Sequence, residues 1–233
     1  MNSSELRGFL TGLILGDGYI DKGINKRAFC IKSTCKEFID NIDSEIKSCS
    51  GFKSKIKYTP EHISCGCNHK ESWEYRIVAH AYFNKIYHYF YDDYRNRIVT
   101  TDSLKWLTPY GLANWYMSDG YVCLVGKTKG IIKDRRVDIC TDRYSLQDIY
   151  KIQNCFITKF EINTTVIKRD KFYRIRISKS SYETFFMLIY QYLVPSMQYK
   201  AYLGYEKQPE WMSDKLWQIQ ESLKSANPLC ECA

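Results

Sequence analysis

The feature that most constrains this fold is an internal repeat, because the second half of the chain repeats the residue pattern of the first. The segment "GLILGDGYI" at 12–20 is matched by "GLANWYMSDGYV" at 111–122, and Asp17 and Asp119 lie 102 positions apart. Segments of the same character follow both copies at nearly the same spacing. The chain is therefore expected to contain one supersecondary unit twice.

Each copy is predicted to form a helix, two strands, a helix, two strands and a final helix. The matched segments are 28–33 and 136–141, 35–52 and 144–162, 53–58 and 164–169, 74–80 and 172–178, and 81–97 and 181–200. In "FYRIRIS", Arg174 and Arg176 fall on one face, and Ile175 and Ile177 fall on the other. This alternation is typical of an antiparallel sheet with one face packed on helices and one face open. We therefore predict an α+β fold of two pseudo-symmetric αββαββα repeats.

Four segments are predicted along the chain: a first repeat at 1–93, a linker at 94–108, a second repeat at 109–205 and a C-terminal helical tail at 206–233. Thr108 and Pro109 are typical of an N-cap and a first helical position, so a helix should open the second repeat. The tail is predicted to pack as an added helix through one apolar stripe, formed by Trp211, Leu216, Ile219 and Leu223.

The charge of the chain indicates a polyanionic partner. The 233 residues carry a formal net charge of +8, with Lys and Arg spread along the chain rather than gathered in a tail. In "KSKIKY", Lys53, Lys55 and Lys57 line one face of a predicted strand. On a single strand such a face serves solubility equally well, but basic faces on matched strands of both repeats favour a nucleic-acid surface.

The sequence also indicates where the protein acts. We find no signal peptide, transit peptide or membrane-spanning run, because the first apolar stretch, Phe9 to Leu15, is too short to cross a bilayer. Ten cysteines without an export signal are expected to be reduced thiols. We therefore expect an intracellular protein, in a bacterial or phage-infected cytoplasm or an organelle matrix, without a membrane partner.

One cluster, "HISCGCNH" at 62–69, contains the residue types that bind zinc. His62, Cys65, Cys67 and His69 could act as ligands, but their spacing fits no common zinc finger or knuckle. We interpret the cluster as the tip of a β-hairpin.

The two matched helices end in an unusual way. Gly12 and Gly16 lie one turn apart, where each costs about 1 kcal/mol relative to alanine, and Asp17 places a negative charge at a helix end that disfavours anions. Small residues one turn apart allow two helices to pack closely, which would bring Asp17 and Asp119 together. The facing small residues are Thr11, Gly12 and Gly16 in the first helix and Ala113, Asn114 and Ser118 in the second. Carboxylates and free last-turn carbonyls are oxygen ligands that Mg²⁺ prefers, so the pattern predicts a divalent-metal site.

The segments "LTGLILGDG" at 10–18 and "LANWYMSDG" at 112–120 resemble the two signature helices of the LAGLIDADG homing endonucleases. Over residues 5–205, the chain is similar to the monomeric branch, in which one polypeptide carries both copies. The resemblance implies a saddle whose two antiparallel sheets lie in the DNA major groove. The second copy departs from the family pattern, because Asn114 stands where the pattern has Gly.

The resemblance also implies the metal ligands. Asp17 and Asp119, the last acidic residue of each motif, would bind catalytic Mg²⁺, for which Mn²⁺ is expected to substitute. The backbone carbonyls of Gly16 and Ser118 would add ligands. These two residues replace an acidic residue of the family pattern.

Arg97 and Lys200 are equivalent by the repeat and take the positions of the basic residues that flank the active site in the family. We expect both to be catalytic, by stabilising phosphate charge or by holding the water network. The alternative is that they are generic phosphate contacts. Arg97 cannot act as a base near neutral pH.

The basic residues of the sheets and their loops are the expected DNA contacts. They are Lys22, Lys26, Arg27, Lys32, Lys53, Lys55, Lys57 and Arg76 in the first half, and Lys127, Lys129, Lys133, Arg135, Arg136, Arg143, Lys168, Arg169, Arg174 and Arg176 in the second. An acidic residue such as Asp138 could accept from cytosine N4. Because the repeats are far from identical, we expect an asymmetric target of about two helical turns.

The sequence therefore predicts a monomeric, site-specific double-strand DNA endonuclease that hydrolyses one phosphodiester per strand with divalent metal ions. Two alternatives keep the same fold: an intron maturase, which binds the host intron RNA, and a DNA-binding protein that has lost cleavage. Asp17 and Asp119 are both present. Their presence favours the nuclease, because a protein that has abandoned cleavage is free to lose them.

Overall fold

The computed structural model describes residues 2–21, 27–64, 66–126, 132 and 134–226. Some residues that the sequence analysis singled out lie outside these ranges: Lys22, Lys26, Cys65, Lys127, Lys129 and Lys133.

The described part of the chain contains α-helices, 3-10 helices and strands. The α-helices are α1 (Ser3–Leu15), α2 (Lys36–Cys49), α3 (Ala81–Tyr87), α4 (Thr101–Trp106), α5 (Pro109–Asp119), α6 (Leu146–Phe160), α7 (Tyr182–Ile189) and α8 (Asp214–Ala226). The strands are β1 (Tyr19–Ile20), β2 (Arg27–Ser33), β3 (Ser54–Thr59), β4 (His62–Ser64), β5 (Cys67–His69), β6 (Ser72–His80), β7 (Gly120–Val125), β8 (Asp134–Ile139), β9 (Thr164–Arg169) and β10 (Phe172–Ile177). The 3-10 helices cover Lys179–Ser181, Tyr190–Tyr192 and Pro195–Ala201. None of the described helices is long and apolar enough to cross a membrane.

The chain divides into two compact units, Met1–Ser118 and Asp119–Ala233. Among the described residues, each unit has an antiparallel sheet of four strands, in the order β1-β2-β6-β3 in the first and β7-β8-β10-β9 in the second. The order is the same when the strands are matched by the repeat. The predicted mixed fold with two repeated antiparallel sheets is therefore confirmed.

The first unit buries one face of its sheet under helices. Phe29 of β2 pairs across the ladder with Ile77 of β6, and both are fully buried. The Phe29 ring also stacks with the ring of Phe83 from α3. Helix α2 covers the sheet with apolar residues at helical spacing, namely Phe38, Ile39, Ile42 and Ile46. These contacts leave the opposite face of β2 and β6 for polar side chains.

The outer strand of this sheet is open on both faces. Lys55 and Lys57 of β3 are exposed on one face, as predicted, but Ile56 and Tyr58 on the other face are exposed as well. The hairpin of β4 and β5 follows β3, and its described residues are exposed too. The alternation of β3 therefore sets the direction of its side chains without burying either face.

The second unit repeats the same layering with different residues. Val137 and Ile139 of β8 and Ile175 and Ile177 of β10 are buried, and they share a face by the strand register. Helix α6 begins at the N-cap Ser145, whose hydroxyl accepts from the amide of Asp148. Helix α6 packs on this sheet and buries Ile149, Ile152 and Phe156, and Phe185 and Phe186 of α7 are buried as well.

The predicted tail helix is present as α8. Leu216 and Leu223 are buried as expected from the apolar stripe, whereas Trp211 precedes the helix and is exposed. The predicted apolar stripe did not include Gln220, which is almost completely buried on the same helix.

The last helix of each repeat is shorter than predicted. Helix α3 ends at Tyr87 and is followed by a turn in which Tyr91 forms a bridge with Arg97. Helix α7 ends at Ile189, and Val194 adopts an extended conformation with ψ 143°. Val194 precedes Pro195, and a residue before proline is disfavoured in the helical region. Proline therefore separates α7 and the 3-10 helix Tyr190–Tyr192 from the later 3-10 helix Pro195–Ala201.

Candidate active site

The two signature helices, α1 and α5, contact each other through residues without side chains. A Cβ atom added to Gly12 would overlap the backbone carbonyl of Gly111, and one added to Gly111 would overlap the carbonyl of Gly8. A Cβ atom on Gly16 would lie 2.8 Å from the Cβ of Ser118. The predicted facing of Gly16 and Ser118 is confirmed, whereas Gly111, which meets Gly12, is a partner that the sequence analysis missed.

Asn114 is fully buried on α5, at the position where the family pattern has Gly. Neither polar atom of its side-chain amide has a hydrogen-bond partner among the described residues. Leaving a buried amide unsatisfied costs about 1–3 kcal/mol. At this departure from the family pattern, the described part of the chain thus offers the buried amide no protein partner.

Helix α1 ends in a turn that carries Asp17. The amide of Gly16 donates to the carbonyl of Gly12 at 3.1 Å, and the amide of Gly18 donates to the carbonyl of Leu13 at 2.8 Å. Asp17 lies between these two closed turns, and its side chain is exposed. The first predicted metal ligand is thus presented to solvent from a fixed backbone.

Arg97 binds the end of α1. Its Nη1 donates to the carbonyl oxygens of Ile14 and Gly16, each at 3.0 Å, and its Nη2 donates to the carbonyl oxygen of Gly18 at 2.6 Å. The last carbonyls of a helix lack intrahelical donors, and a cation there also favours the helix dipole. The structure thus places Arg97 beside Asp17, with its guanidinium directed at backbone carbonyls.

A short turn holds Arg97 in this place. Asp92 accepts from the amide and the side chain of Asn96, at 2.7 and 2.9 Å, and so closes the turn between Tyr91 and Arg97. The same turn also contacts the strand that follows Asp17, because the Tyr91 hydroxyl accepts from the amide of Ile20 in β1 at 3.0 Å. Sequence reasoning missed Tyr91, although it lies in the segment matched by the repeat.

The second motif ends differently. Asp119 is the last residue of α5, and its backbone carbonyl accepts from the amide of Cys140 at 3.0 Å. Lys200 lies in the 3-10 helix Pro195–Ala201 and is half-buried. The structure therefore places the equivalent basic residues, Arg97 and Lys200, in different local structures.

The residues after Lys200 are held from two sides. Gln220 of α8 accepts from the amide of Leu203 at 2.6 Å and donates to the carbonyl of Ala201 at 2.9 Å. Arg135 of β8 donates to the carbonyls of Leu203 at 2.8 Å and Gly204 at 2.9 Å. The guanidinium of Arg135 also stacks on the ring of Tyr205. Arg135 was expected to contact DNA, and the structure gives its side chain these internal partners.

In the first unit, most of the described basic candidates for DNA contact are exposed. They are Lys32, Lys53, Lys55, Lys57 and Arg76. Arg27 is half-buried, because its guanidinium lies 3.6 Å from the centre of the Tyr87 ring. Arg76 forms a salt bridge of 2.7 Å with Asp21. These placements are compatible with a polyanion-binding face.

In the second unit, several basic candidates are paired with carboxylates. Arg143, Lys168 and Arg169 are exposed. Arg136 lies 2.9 Å from Asp134, whose pKa is held well below its usual range by Lys179 and by Arg136. Of the two candidates on β10, Arg174 binds Asp142 and Arg176 binds Asp138.

Asp138 is fully buried. Its Oδ1 accepts from Arg176 Nε at 2.7 Å, and its Oδ2 accepts from Arg176 Nη2 at 2.9 Å and from the Tyr121 hydroxyl at 3.1 Å. The expectation that Asp138 accepts from a cytosine is therefore wrong for this structure. Strand alternation placed Asp138 on the open face, but neighbouring side chains on that face satisfy it.

The His- and Cys-containing segment forms the hairpin of β4 and β5, as predicted. His62 and His69 are cross-strand partners whose rings stack at 4.9 Å, and Cys67 is exposed. Cys65 lies outside the described residues. Within the ranges that the structure describes, no three His, Cys, Asp or Glu side chains are grouped so that they could hold a metal ion.

Known proteins resemble large parts of this chain. A curated relative from Wickerhamomyces canadensis, named probable intron-encoded endonuclease 1, is 25% identical over 193 residues, which are 82% of this chain and 81% of the relative. The DNA endonuclease I-ChuI from Chlamydomonas applanata is 32% identical in an alignment of 121 positions, which covers 48% of this chain and 53% of the relative.

A solved structure of the homing endonuclease I-WcaI bound to its DNA recognition sequence has the same fold. It matches with a TM-score of 0.71 and 24% identity, over 85% of this chain and 86% of that chain. A family model described as the LAGLIDADG DNA endonuclease family matches residues 7–185, which is most of the sequence. The chain therefore belongs to the LAGLIDADG DNA endonuclease family.

Proposed function

We propose that the protein is a monomeric homing endonuclease that recognises a long asymmetric site in double-stranded DNA and hydrolyses one phosphodiester in each strand. The observation that carries this proposal is the pair of signature helices, which pack through Gly12 and Gly111. Asp17 lies in the turn after the first helix, and Asp119 is the last residue of the second. A relative is named an intron-encoded endonuclease, which supports an origin of this chain in an intron.

The residues at the ends of α1 and α5 suit a divalent metal such as Mg²⁺ or Mn²⁺. Asp17 offers an exposed carboxylate beside the carbonyl of Gly16, and Asp119 offers a half-buried one beside Ser118. Mg²⁺ prefers oxygen ligands and keeps several waters, so one carboxylate with a carbonyl suffices on the protein side. The Gly16 carbonyl accepts from Arg97 and has a second lone pair. When bound, the metals supply an activated water and stabilise charge at the scissile phosphate.

The two basic residues serve this site in different ways. Arg97 holds the turn that presents Asp17, because its guanidinium binds the carbonyls on both sides of that residue. Lys200, a compact cation in the second unit, is the candidate for stabilising charge on the phosphate. Both assignments refine the expectation that the two residues act alike.

The open sheet faces supply DNA binding. In the first unit, Lys53, Lys55 and Lys57 form an exposed basic row, with Lys32 and Arg76 on neighbouring strands. Lysines of this kind bind phosphates and give affinity that falls steeply with salt.

The proposal is tested by selecting sites from a randomised duplex DNA library and then incubating the selected pool with Mg²⁺ or with Ca²⁺. We expect one long asymmetric site, cut on both strands with Mg²⁺. The Asp17→Asn, Asp119→Asn double variant is expected to select the same site without cutting it.

Other outcomes would contradict the proposal. Tight selection without cleavage under any condition would indicate a DNA-binding protein that has lost catalysis. Failure to select any DNA would indicate the intron maturase instead, and binding of the host intron RNA would then be measured directly.

A further inference from the structure

Tyr121, Asp138 and Arg176 lie side by side on β7, β8 and β10, because the strand register pairs Tyr121 with Asp138 and Asp138 with Arg176. We call these three residues the Asp138 row. Ile175 and Ile177, which flank Arg176 on its strand, point into the core. The row therefore lies on the open face of the second sheet.

The buried carboxylate holds the guanidinium of Arg176 by one edge only. Asp138 accepts hydrogen bonds from Nε and Nη2, which together form the side edge of the planar guanidinium. Among the described residues, Arg176 Nη1 has no acceptor, and the side chain is 24% exposed. A guanidinium has five N–H donors, so the end edge formed by Nη1 and Nη2 keeps donors for another partner.

A neighbouring arginine supports the row without offering such an edge. Arg174 donates from Nε and Nη2 to Asp142, at 2.8 and 2.6 Å, and from Nη1 to the Tyr121 hydroxyl at 3.3 Å. All of its nitrogens are therefore engaged within the protein. Arg174 fixes Tyr121, which in turn contacts Asp138.

The first sheet carries an equivalent row with a different residue at its centre. The register pairs Tyr19 with Cys30 and Cys30 with Arg76, and we call these residues the Cys30 row. Burial raises the pKa of the Cys30 thiol, which keeps it neutral near neutral pH. Arg76 is 46% exposed, and its carboxylate partner is Asp21, which is not fully buried. The Cys30 row thus lacks a buried carboxylate.

From this difference, and resting on the proposed function, we infer that Arg176 is a specificity-determining residue that reads a guanine with its end edge, and that Asp138 positions it. Two parallel N–H donors match the O6 and N7 acceptors of guanine in the major groove. The charge of Arg176 is already balanced by Asp138, so it adds little to salt-dependent phosphate binding. A guanidinium that is held in place and whose charge is balanced is better suited to hydrogen bonds with a base than to ionic contact with a DNA phosphate.

The test compares base-preference profiles from the randomised duplex library. Arg176→Lys keeps the charge opposite Asp138 but loses the fork, and we expect the preference for guanine at one position to fall by about 10- to 100-fold. The salt dependence of binding should stay unchanged. Arg95→Lys, the same change at an exposed arginine outside both sheets, is the control and should alter no base preference to that extent.

A second variant separates a loss of base reading from a loss of folding. The Asp138→Asn, Arg176→Gln double variant removes both charges together, so no buried charge is left unpaired. It should lose the same guanine preference while retaining cooperative thermal unfolding by circular dichroism.

Failure of this inference and failure of the proposed function are distinguishable. If the wild-type protein selects no DNA site, the proposed function fails. If it selects a site and both Arg176 variants keep every base preference, the inference alone is overturned. A uniform loss of affinity with a shallower salt dependence would also overturn it, since Arg176 would then be a phosphate contact.

Discussion

The two units share their strand order, but they support the basic residue near each motif in different ways. In the first unit, Arg97 is delivered by a local turn and binds the end of α1 directly. In the second unit, Lys200 precedes a segment that is held by Gln220 of α8 and by Arg135 of β8. The repeat therefore preserved the sheet framework, while the two sites are supported differently. The first is supported by a turn within the matched segment 81–97, and the second by Gln220 and Arg135, which lie outside the matched segments.

This difference also gives α8 a role. The family model ends at residue 185, before Lys200 and before α8. Nevertheless, Gln220 is almost completely buried, and its side-chain amide forms hydrogen bonds with the backbone of Ala201 and Leu203, shortly after Lys200. The tail helix is therefore part of the support of the second unit.

The largest expected effect comes from replacing each of the two aspartates, Asp17 and Asp119, one at a time. Asp17→Asn and Asp119→Asn, made singly, should each lower double-strand cleavage on the order of 10³-fold, because each removes a carboxylate that we propose as a metal ligand. The measurement follows a supercoiled plasmid that carries the selected site, with nicked circles expected to accumulate in place of linear product.

The control for this prediction is Asp170→Asn, which changes an exposed aspartate at a turn with positive φ that asparagine tolerates. It should cleave like the wild type. Full double-strand cleavage by Asp17→Asn would remove the first unit from the proposed metal chemistry.

A smaller effect distinguishes the two basic residues. Arg97→Met should lower the free energy of unfolding by about 3 kcal/mol, because three carbonyls at the end of α1 lose a charged donor. Lys200→Met should lower cleavage with a much smaller loss of stability. Chemical denaturation and single-turnover cleavage, measured on both variants, check this contrast.

Arg95→Met is the matched control, because Arg95 is exposed and only two residues from Arg97. It should leave stability within about 0.5 kcal/mol of the wild type. Equal free energies of unfolding for the Arg97→Met and Arg95→Met variants would show that the contacts of Arg97 with α1 do not stabilise the fold.

The contribution of the tail is expected to be smaller again. Gln220→Ala removes two buried hydrogen bonds and should destabilise the protein by about 2 kcal/mol, with a lower single-turnover rate and unchanged DNA affinity. Gln218→Ala, on the exposed side of the same helix, should change neither quantity. If the two variants unfold at the same denaturant concentration, α8 does not hold the segment after Lys200.

The smallest effect concerns acid stability in the second unit. Lys179 and Arg136 lower the pKa of Asp134, so this carboxylate stabilises the fold above its unfolded pKa and loses that contribution as the pH falls. Asp134→Asn should therefore flatten the loss of stability on acidification, with a difference under about 1 kcal/mol at neutral pH. Thermal melts between pH 7 and low pH measure it. A steeper acid transition in the variant would contradict the assignment.

Much of the framework could be predicted from the sequence. The repeat spacing predicted the matched strands, and Thr108 with Pro109 predicted the start of α5, where the Thr108 hydroxyl accepts from the amide of Gly111 at 3.1 Å. These features depend on local patterns and on the comparison of the two halves. Such signals are short-range or periodic, and both kinds are visible in a sequence.

The contacts that define the site could not be predicted in the same way. Arg97 meets residues 14–18 only because a turn closed by Asp92 and Asn96 reverses the chain. The alternation of β8 placed Asp138 on the open face but gave no sign that Arg176 would cover it. Contacts between residues far apart in sequence depend on conformations and partners that local patterns do not encode.

The close contact of Gly12 with Gly111 has a consequence for engineering. Helix α5 belongs to the second repeat by sequence, yet all but its last residue lies in the first compact unit. A fragment that ends at the linker would expose the glycine face of α1 to water, and a larger residue at either glycine would push the helices apart. Chimeras that recombine target specificities should therefore be joined after α5, so that the two glycine-bearing helices are always inherited from the same parent.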